Sequence, residues 1–305
     1  MLCSLFDCTQ KGDDITMKNI EVIISGGSGV IAKKLRENLH RLNIKSLVLS
    51  RKDIPIFKNE LLLIYELGEP LSFDLYNFRY ERVNFFHLAH DFDDKTRGKA
   101  NINYRGSEII ISAVSKIQNI NIIYFSTPID KTYLKYSSIY QNQKFICEKL
   151  LTKYSAVILR PSLIISNISY NNSFFKKVSA TSLPILIPVI KNKISPIQID
   201  TFVEYLLNFL SDEKLQGKFI IKGDVLLSFK AYLKYYHNIN AFEFPTFVFR
   251  LLIFLLKLTN IIYLWRLSEK ILGIINVPCL EKIPTSKDNE WKVVTLFSNN
   301  QLKPK

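Results

Sequence analysis

The 305 residues suffice for one large or two modest domains, and 48% apolar with 22% charged residues is ordinary for a soluble globular protein. Four cysteines (Cys3, Cys8, Cys147, Cys279) show no metal or redox spacing, which sets aside a disulfide framework and suits a reducing cytoplasm, where the sequons at Asn167 and Asn171 carry no meaning. The net charge of +14 favours a polyanionic partner, or is partly solvated lysine surface; without an arginine-aromatic RNA motif or a basic recognition helix, a nucleotide-type ligand is expected rather than nucleic acid. Residues 1–16 lack the layout of a signal peptide and read as a loose tail, with Met17-Lys18-Asn19 as a natural start. Val22 to Ile24 then has the β-branched content of a buried parallel strand. Ser25-Gly26-Gly27-Ser28-Gly29 turns the chain, and Val30 to Leu42 has the pattern of an amphipathic helix. Strand, glycine turn and helix N-terminus together make an anion site, because the first helical N–H groups point at whatever lies above them. Gly26 supplies the turn, Gly29 allows close approach of a pyrophosphate, and Ala32 keeps the helix near the sheet.

Ser46 to Leu49 is the second predicted strand, ending in Ser50-Arg51. A carboxylate at this end would accept a hydrogen bond from a ribose 2′-OH, but an arginine stands there instead. Arg51 suits a 2′-phosphate, so NADP(H) is favoured, with NAD(H) and a merely solvent-facing arginine left open. Leu61 to Tyr65 and Asn84 to His90 are further strands, and Glu66-Leu67 is placed to face an adenine. His87 and His90 lack the ligand cluster of a metal site. A helix is predicted over Glu108 to Ile117, after Asn103-Tyr104-Arg105-Gly106-Ser107, and a fifth strand over Ile122 to Phe125, ending in Ser126-Thr127. This alternation implies an α/β fold, a Rossmann-type doubly wound parallel sheet with a smaller, mainly C-terminal substrate domain.

Tyr140 and Lys144 stand four residues apart, on one face of a helix. A phenol near its reference pKa of about 10 is a poor acid or base at neutral pH. A neighbouring ammonium is expected to favour the phenolate and bring proton transfer within range. Ser126 or Thr127 is placed to hydrogen-bond the same substrate oxygen.

These residues resemble the extended short-chain dehydrogenase/reductase superfamily, in its NAD(P)-dependent epimerase/dehydratase branch, over roughly 18–225. Ser25 to Ala32 is similar to its glycine motif, His87-Leu88-Ala89 to its fourth-strand motif, and Asn103 to Ser107 to its Asn-x-x-Gly-Thr. Tyr140-x3-Lys144 with Glu148, Leu159-Arg160-Pro161, and Gln198-Ile199-Asp200 are similar to its later landmarks. The resemblance implies a nucleotide-sugar substrate, with Tyr140 as acid/base, Lys144 holding the nicotinamide ribose and Thr127 binding the reacting oxygen. It implies cofactor contacts from Gly26, Ser28, Gly29, Val30, Ile31, Arg51, Leu88, Ala89, Asn103 and Lys144. Three departures stand out. Pro128-Ile129 replaces the Asp-Glu pair of the 4,6-dehydratases, which argues against water elimination. Ile165-Ser166-Asn167 replaces Tyr-Gly-Pro. The stretch between Thr127 and Tyr140 is short, as in atypical members that serve as cofactor-binding structural subunits.

Helices are expected over Thr201 to Leu210 and Leu227 to Tyr236, with a strand at Phe219 to Ile221 between them. Phe174 to Ile190 reads as a loop and short strand over the substrate. The stretch 244–265 is the most apolar, and Glu243, Arg250 and Lys257 recur every seven residues along it. It reads as a helix or helix pair packed on the small domain, with an interfacial membrane helix, a protein contact or a span left open. The expected layout is a tail over 1–16, a Rossmann domain over 17–165 whose core takes in part of 194–225, a substrate domain over 166–283 and a polar end over 284–305, in which Trp291 to Phe297 adds a strand. The protein is expected in the cytoplasm, with a peripheral membrane location and a homodimer left open. The alternative to an enzyme is a nucleotide-binding scaffold of the same fold.

Overall fold

Short β-branched runs alternate with amphipathic helices along this chain, and the computed structural model arranges them as one wound sheet. It describes residues 19–71, 82–96, 98–128, 137–166, 179–180, 184–211, 217–258 and 291–297. The first half contains β1 (Val22–Ser25), α1 (Val30–Arg41), β2 (Ser46–Ser50), β3 (Glu60–Ile64), β4 (Val83–His87), α2 (Ile102–Val114), β5 (Ile120–Phe125), α3 (Ile139–Leu151) and β6 (Val157–Pro161). There follow β7 (Ile164–Ile165), β8 (Ile185–Pro188), β9 (Ile197–Gln198), α4 (Ile199–Ser211), β10 (Lys218–Gly223), α5 (Phe229–His237), β11 (Ala241–Phe244), α6 (Thr246–Leu258) and β12 (Trp291–Leu296).

Eight strands form a sheet in the order β12-β10-β6-β5-β4-β1-β2-β3. Each neighbouring pair in it is parallel. Every residue of β1, β2 and β4 is buried, as expected where helices cover both faces. Leu35 and Leu39 of α1 share one core with Phe202, Val203 and Leu206 of α4; Ile110, Ile111 and Val114 of α2 share the opposite core with Leu150 and Leu151 of α3. The winding reverses between β1 and β4, where Ser25 and His87 are register partners, and this places a crevice at the carboxyl ends of those strands.

One boundary differs from expectation. α2 starts at Ile102, so Asn103 to Ser107 lies inside the helix rather than before it. The cause is Asn101, whose side chain accepts from Tyr104 N at 2.7 Å, together with the Asp94 carboxylate, which accepts from Ile102 N at 2.5 Å. The strand expected over Trp291 to Phe297 is present as β12, which runs parallel to β10 at the sheet edge, with the Arg160 guanidinium 3.9 Å above the Trp291 ring. Glu148 grips the same guanidinium through two oxygens, at 3.0 and 2.8 Å.

The smaller part joins β8 to β11 and β7 to β9, each pair parallel. α5 packs over this part, with Tyr232 and Leu233 in a third core alongside Ile187, Ile194 and Ile239. The expected tail, the two sequons, Phe174 and Trp265 lie outside the described residues. Among the described residues no helix is long and apolar enough to cross a membrane.

Candidate active site at the sheet reversal

β1 delivers the chain to Gly26, whose φ of +75° is the left-handed conformation that favours glycine. A Cβ there would also stand 2.8 Å from the backbone of Ala89, so β1 and the end of β4 approach each other only because Gly26 has none. Gly27 N bonds Leu49 O at 3.0 Å and Gly29 N bonds Gly26 O at 2.9 Å, which fixes the turn. Gly29 caps α1 with no side-chain hydrogen bond, so the first N–H groups of the helix are not capped by its own N-cap residue. Ser28 and Gly29 are exposed, Val30 and Ile31 are half-buried, and Ala32 is buried against the sheet. Beneath the turn, Arg36 donates to Gly27 O at 3.3 Å and to both oxygens of Glu60 at 2.8 and 2.6 Å. Nothing in the spacing of Arg36 and Glu60 announces this buried pair.

His87 pins the reversal. Its Nδ1 lies 2.7 Å from Ser25 Oγ, its Nε2 lies 2.8 Å from Ser107 Oγ, and Ser25 Oγ also accepts from Ala89 N at 3.3 Å. The neutral Nε2–H tautomer satisfies all three bonds. Burial, reinforced by the Lys144 charge, lowers the His87 pKa to about 3. The folded state thus resists a proton that the unfolded chain takes up below about pH 6.5. This contribution is complete above pH 6.5 and is lost as pH falls towards 3, by up to ~1.4 kcal/mol per pH unit. Urea unfolding at neutral pH and near pH 5 should show an acid-side loss of about 2 kcal/mol from this group, and a His87→Gln variant should lack that share.

α3 opens with a capping box. Ser138 Oγ accepts from Gln141 N at 3.2 Å, and Gln141 Oε1 accepts from Ser138 N at 3.0 Å. The box sets Tyr140 in the first turn and Lys144 one turn on, as the spacing predicts. Lys144 is buried; its Nζ donates to Phe125 O at 2.8 Å and lies 6.0 Å from the centre of the Tyr140 ring. Burial pulls its pKa down to about 8, which still leaves a cation at neutral pH. The phenol departs from expectation: burial pushes Tyr140 up to about 12, where the neighbouring ammonium was expected to bring it down. Phe92 stacks on Tyr140 at 5.6 Å between ring centres, and His90 meets it edge-on at 4.9 Å. Desolvation by these rings outweighs the lysine in this arrangement.

The loop carrying His90 and Phe92 is held by two side chains. Asn103 Oδ1 accepts from Asp91 N at 2.6 Å, while its amide donates to Asp91 O at 3.0 Å and Gln143 Oε1 at 3.2 Å. Gln143 Nε2 donates to the carbonyls of Asp94 and Thr96 at 3.0 and 2.9 Å. Asn103 is therefore engaged in loop positioning, and Gln143, within the Tyr-x3-Lys interval, was missed as its partner. Leu88 N bonds Ser25 O at 3.2 Å beside the glycine turn. Thr127 follows β5, and Ser126 Oγ and His90 Nε2 are buried atoms without a hydrogen-bond partner among the described groups. Arg51 is exposed at the end of β2, while Glu66 is exposed and Leu67 packs on Gly106 of α2. Among the described residues no group of three or more side chains could hold a metal ion. The Gly26 turn and the unpartnered polar atoms Ser126 Oγ and His90 Nε2 lie at the carboxyl ends of β1, β5 and β4, where a polar ligand would find partners.

The fold is a Rossmann-type α/β fold, with the glycine turn and the Tyr140–Lys144 pair at the carboxyl ends of its strands. No family model matches the sequence, and no curated protein matches it. Solved structures do share its fold. The Bordetella bronchiseptica enzyme WbmG, in complex with NAD and UDP, is 15% identical, with a TM-score of 0.59 over 73% of this chain and 80% of its own. A Thermus thermophilus UDP-glucose 4-epimerase, in complex with NAD, is 15% identical, with a TM-score of 0.56 over 74% of this chain and 86% of its own. A UDP-N-acetylglucosamine 4-epimerase from Bacillus cereus is 16% identical, with a TM-score of 0.55 over 84% of this chain and 99% of its own. The fold is thus the one used by NAD-dependent nucleotide-sugar epimerases.

Proposed function

We propose that this chain is an NAD(P)-dependent oxidoreductase or epimerase of the extended short-chain dehydrogenase/reductase type, acting on a nucleotide-linked sugar. The observation that carries the reading is that the segment after β4 touches both the Gly26 turn, through Ala89, and the Tyr140 ring, through His90, with Lys144 beside that ring. A bound nicotinamide ring would supply the hydride acceptor or donor. The α1 N-terminus would take the pyrophosphate, and Gly29, with no Cβ, would let it approach the backbone. Lys144 spends one of its three N–H donors on Phe125 O and has two for ribose hydroxyls, while its charge lowers the cost of a phenolate. Tyr140 would take the proton from the sugar hydroxyl as that carbon is oxidised and return it on reduction. Thr127, on the same rim, would hydrogen-bond the reacting oxygen. With Pro128 after it, elimination of water lacks its acid and base.

Arg51 supports NADP(H) over NAD(H), because an exposed guanidinium at the end of β2 suits a dianionic 2′-phosphate. Arg51→Asp should reverse the preference, weakening NADP(H) by at least about tenfold through lost attraction and added repulsion. Calorimetric titration of both cofactors against both proteins checks this. Unchanged selectivity would return Arg51 to solvated surface.

A second reading is a nucleotide-binding scaffold. The stacking of Phe92 on Tyr140 and the phenol's pKa of about 12 favour it, since neither prepares a base. Cofactor-dependent turnover of UDP-sugars by the purified chain separates the two readings. Tight binding without turnover would select the scaffold.

A further inference from the structure

We infer that α6 is a docking surface for an anionic lipid bilayer, with the helix lying in the headgroup region. Phe249 and Ile253, four residues apart, form the buried stripe of the helix. The opposite arc is apolar and open. Phe247 is 71% exposed, Leu251 58%, Phe254 59% and Leu255 51%, with Val248 and Leu252 beside them. The strand before it adds more: Phe242 pairs with Leu186 across β11 and β8, and both side chains are exposed. Exposed apolar residues scattered singly are ordinary, but a helix showing aromatic and aliphatic groups along its whole outer arc marks an interaction site.

Charge identifies the occupant. Arg250 borders the apolar arc, and Lys191 follows Val189, whose carbonyl accepts from Thr246 Oγ1 at 2.9 Å where α6 begins. Across 184–200 and 222–258 the basic residues Lys191, Lys193, Lys222, Lys230, Lys234, Arg250 and Lys257 outnumber the carboxylates Asp200, Asp224 and Glu243. A two-fold contact with a second copy would set these cations against themselves. An anionic leaflet neutralises them while the aromatic and aliphatic tips enter the acyl boundary. The 13 described residues of the helix reach roughly 20 Å, and an apolar arc bordered by Arg250 suits a helix lying along the headgroup region.

Flotation of the full chain with mixed phosphatidylcholine/phosphatidylglycerol vesicles tests this independently of any catalysis. The wild type should float with these vesicles, lose most binding in high salt, and remain unbound to pure phosphatidylcholine. The combined variant Phe247→Ser/Leu251→Ser/Phe254→Ser should bind at least about tenfold less, with an unchanged circular dichroism spectrum because these side chains already face solvent. Lys191→Glu, a fold-neutral surface change, should weaken binding in the same direction. Absent flotation, equal binding to neutral vesicles, or binding unaffected by the triple variant would overturn the inference. So would a dimer that the triple variant converts to monomer in the absence of vesicle binding.

Discussion

Replacing Tyr140 by phenylalanine is expected to cut turnover by roughly 10²–10⁴-fold while leaving cofactor affinity nearly intact. The substitution keeps nearly everything around the site. The new phenyl ring would still stack on Phe92 and still meet His90 edge-on, so the wall of the crevice survives. Lys144 would keep its bond to Phe125 O and its two remaining donors. Only the hydroxyl proposed to move the proton is lost. Burial holds that hydroxyl at about 12, so it is protonated throughout the neutral range. On the proposed reading, a phenolate there would depend on the Lys144 ammonium beside the ring. Steady-state turnover of UDP-sugars with calorimetric cofactor binding checks the variant. Unchanged turnover would remove Tyr140 from the chemistry, and parallel loss of binding would make it a structural residue.

The second large effect is on stability. Arg36→Ala should destabilise the fold by about 3–5 kcal/mol, because it strands the buried Glu60 carboxylate. Glu60 accepts two guanidinium bonds from Arg36 and one from Phe57 N at 2.9 Å, and only the last survives the substitution. The same guanidinium bonds Gly27 O and Pro55 O, so the glycine turn and the segment between β2 and β3 loosen together. Arg36→Lys keeps the charge but not the planar fork, and should recover only part of the loss. Urea denaturation measures both variants. A loss below about 1 kcal/mol in Arg36→Ala would mean that water replaces the guanidinium, and that the pair is an ordinary surface bridge.

Local chemistry was legible in the sequence; contacts between distant segments were not. The glycine turn, the buried strands and the Tyr140–Lys144 spacing each follow from neighbouring residues, and all appear where periodicity places them. Glu148 and Arg160, which the family resemblance picks out separately, prove to be one buried ion pair beneath Trp291. Their partnership needed the strand order, because nothing local joins a helix residue to a strand residue and a C-terminal tryptophan. Trp291 to Leu296 looked like an addition to a polar end for the same reason: its parallel pairing with β10 is non-local. The direction of the Tyr140 shift was missed because a spacing argument sees Lys144 and does not see Phe92 and His90 closing over the phenol. Asn101 was overlooked as the cap of α2, because the helix was expected to begin only at Glu108, after Asn103 to Ser107.

Calorimetric titration of the purified full chain with NADP(H) and NAD(H), alongside analysis of any nucleotide that copurifies, tests the dinucleotide site most directly. Saturable binding of one dinucleotide per chain is expected, tighter for NADP(H) through Arg51. Tight retention of NAD would contradict the role given to Arg51 and favour an epimerase that keeps its cofactor. Binding of neither would contradict the central claim, that the reversal between β1 and β4 is a nicotinamide dinucleotide site.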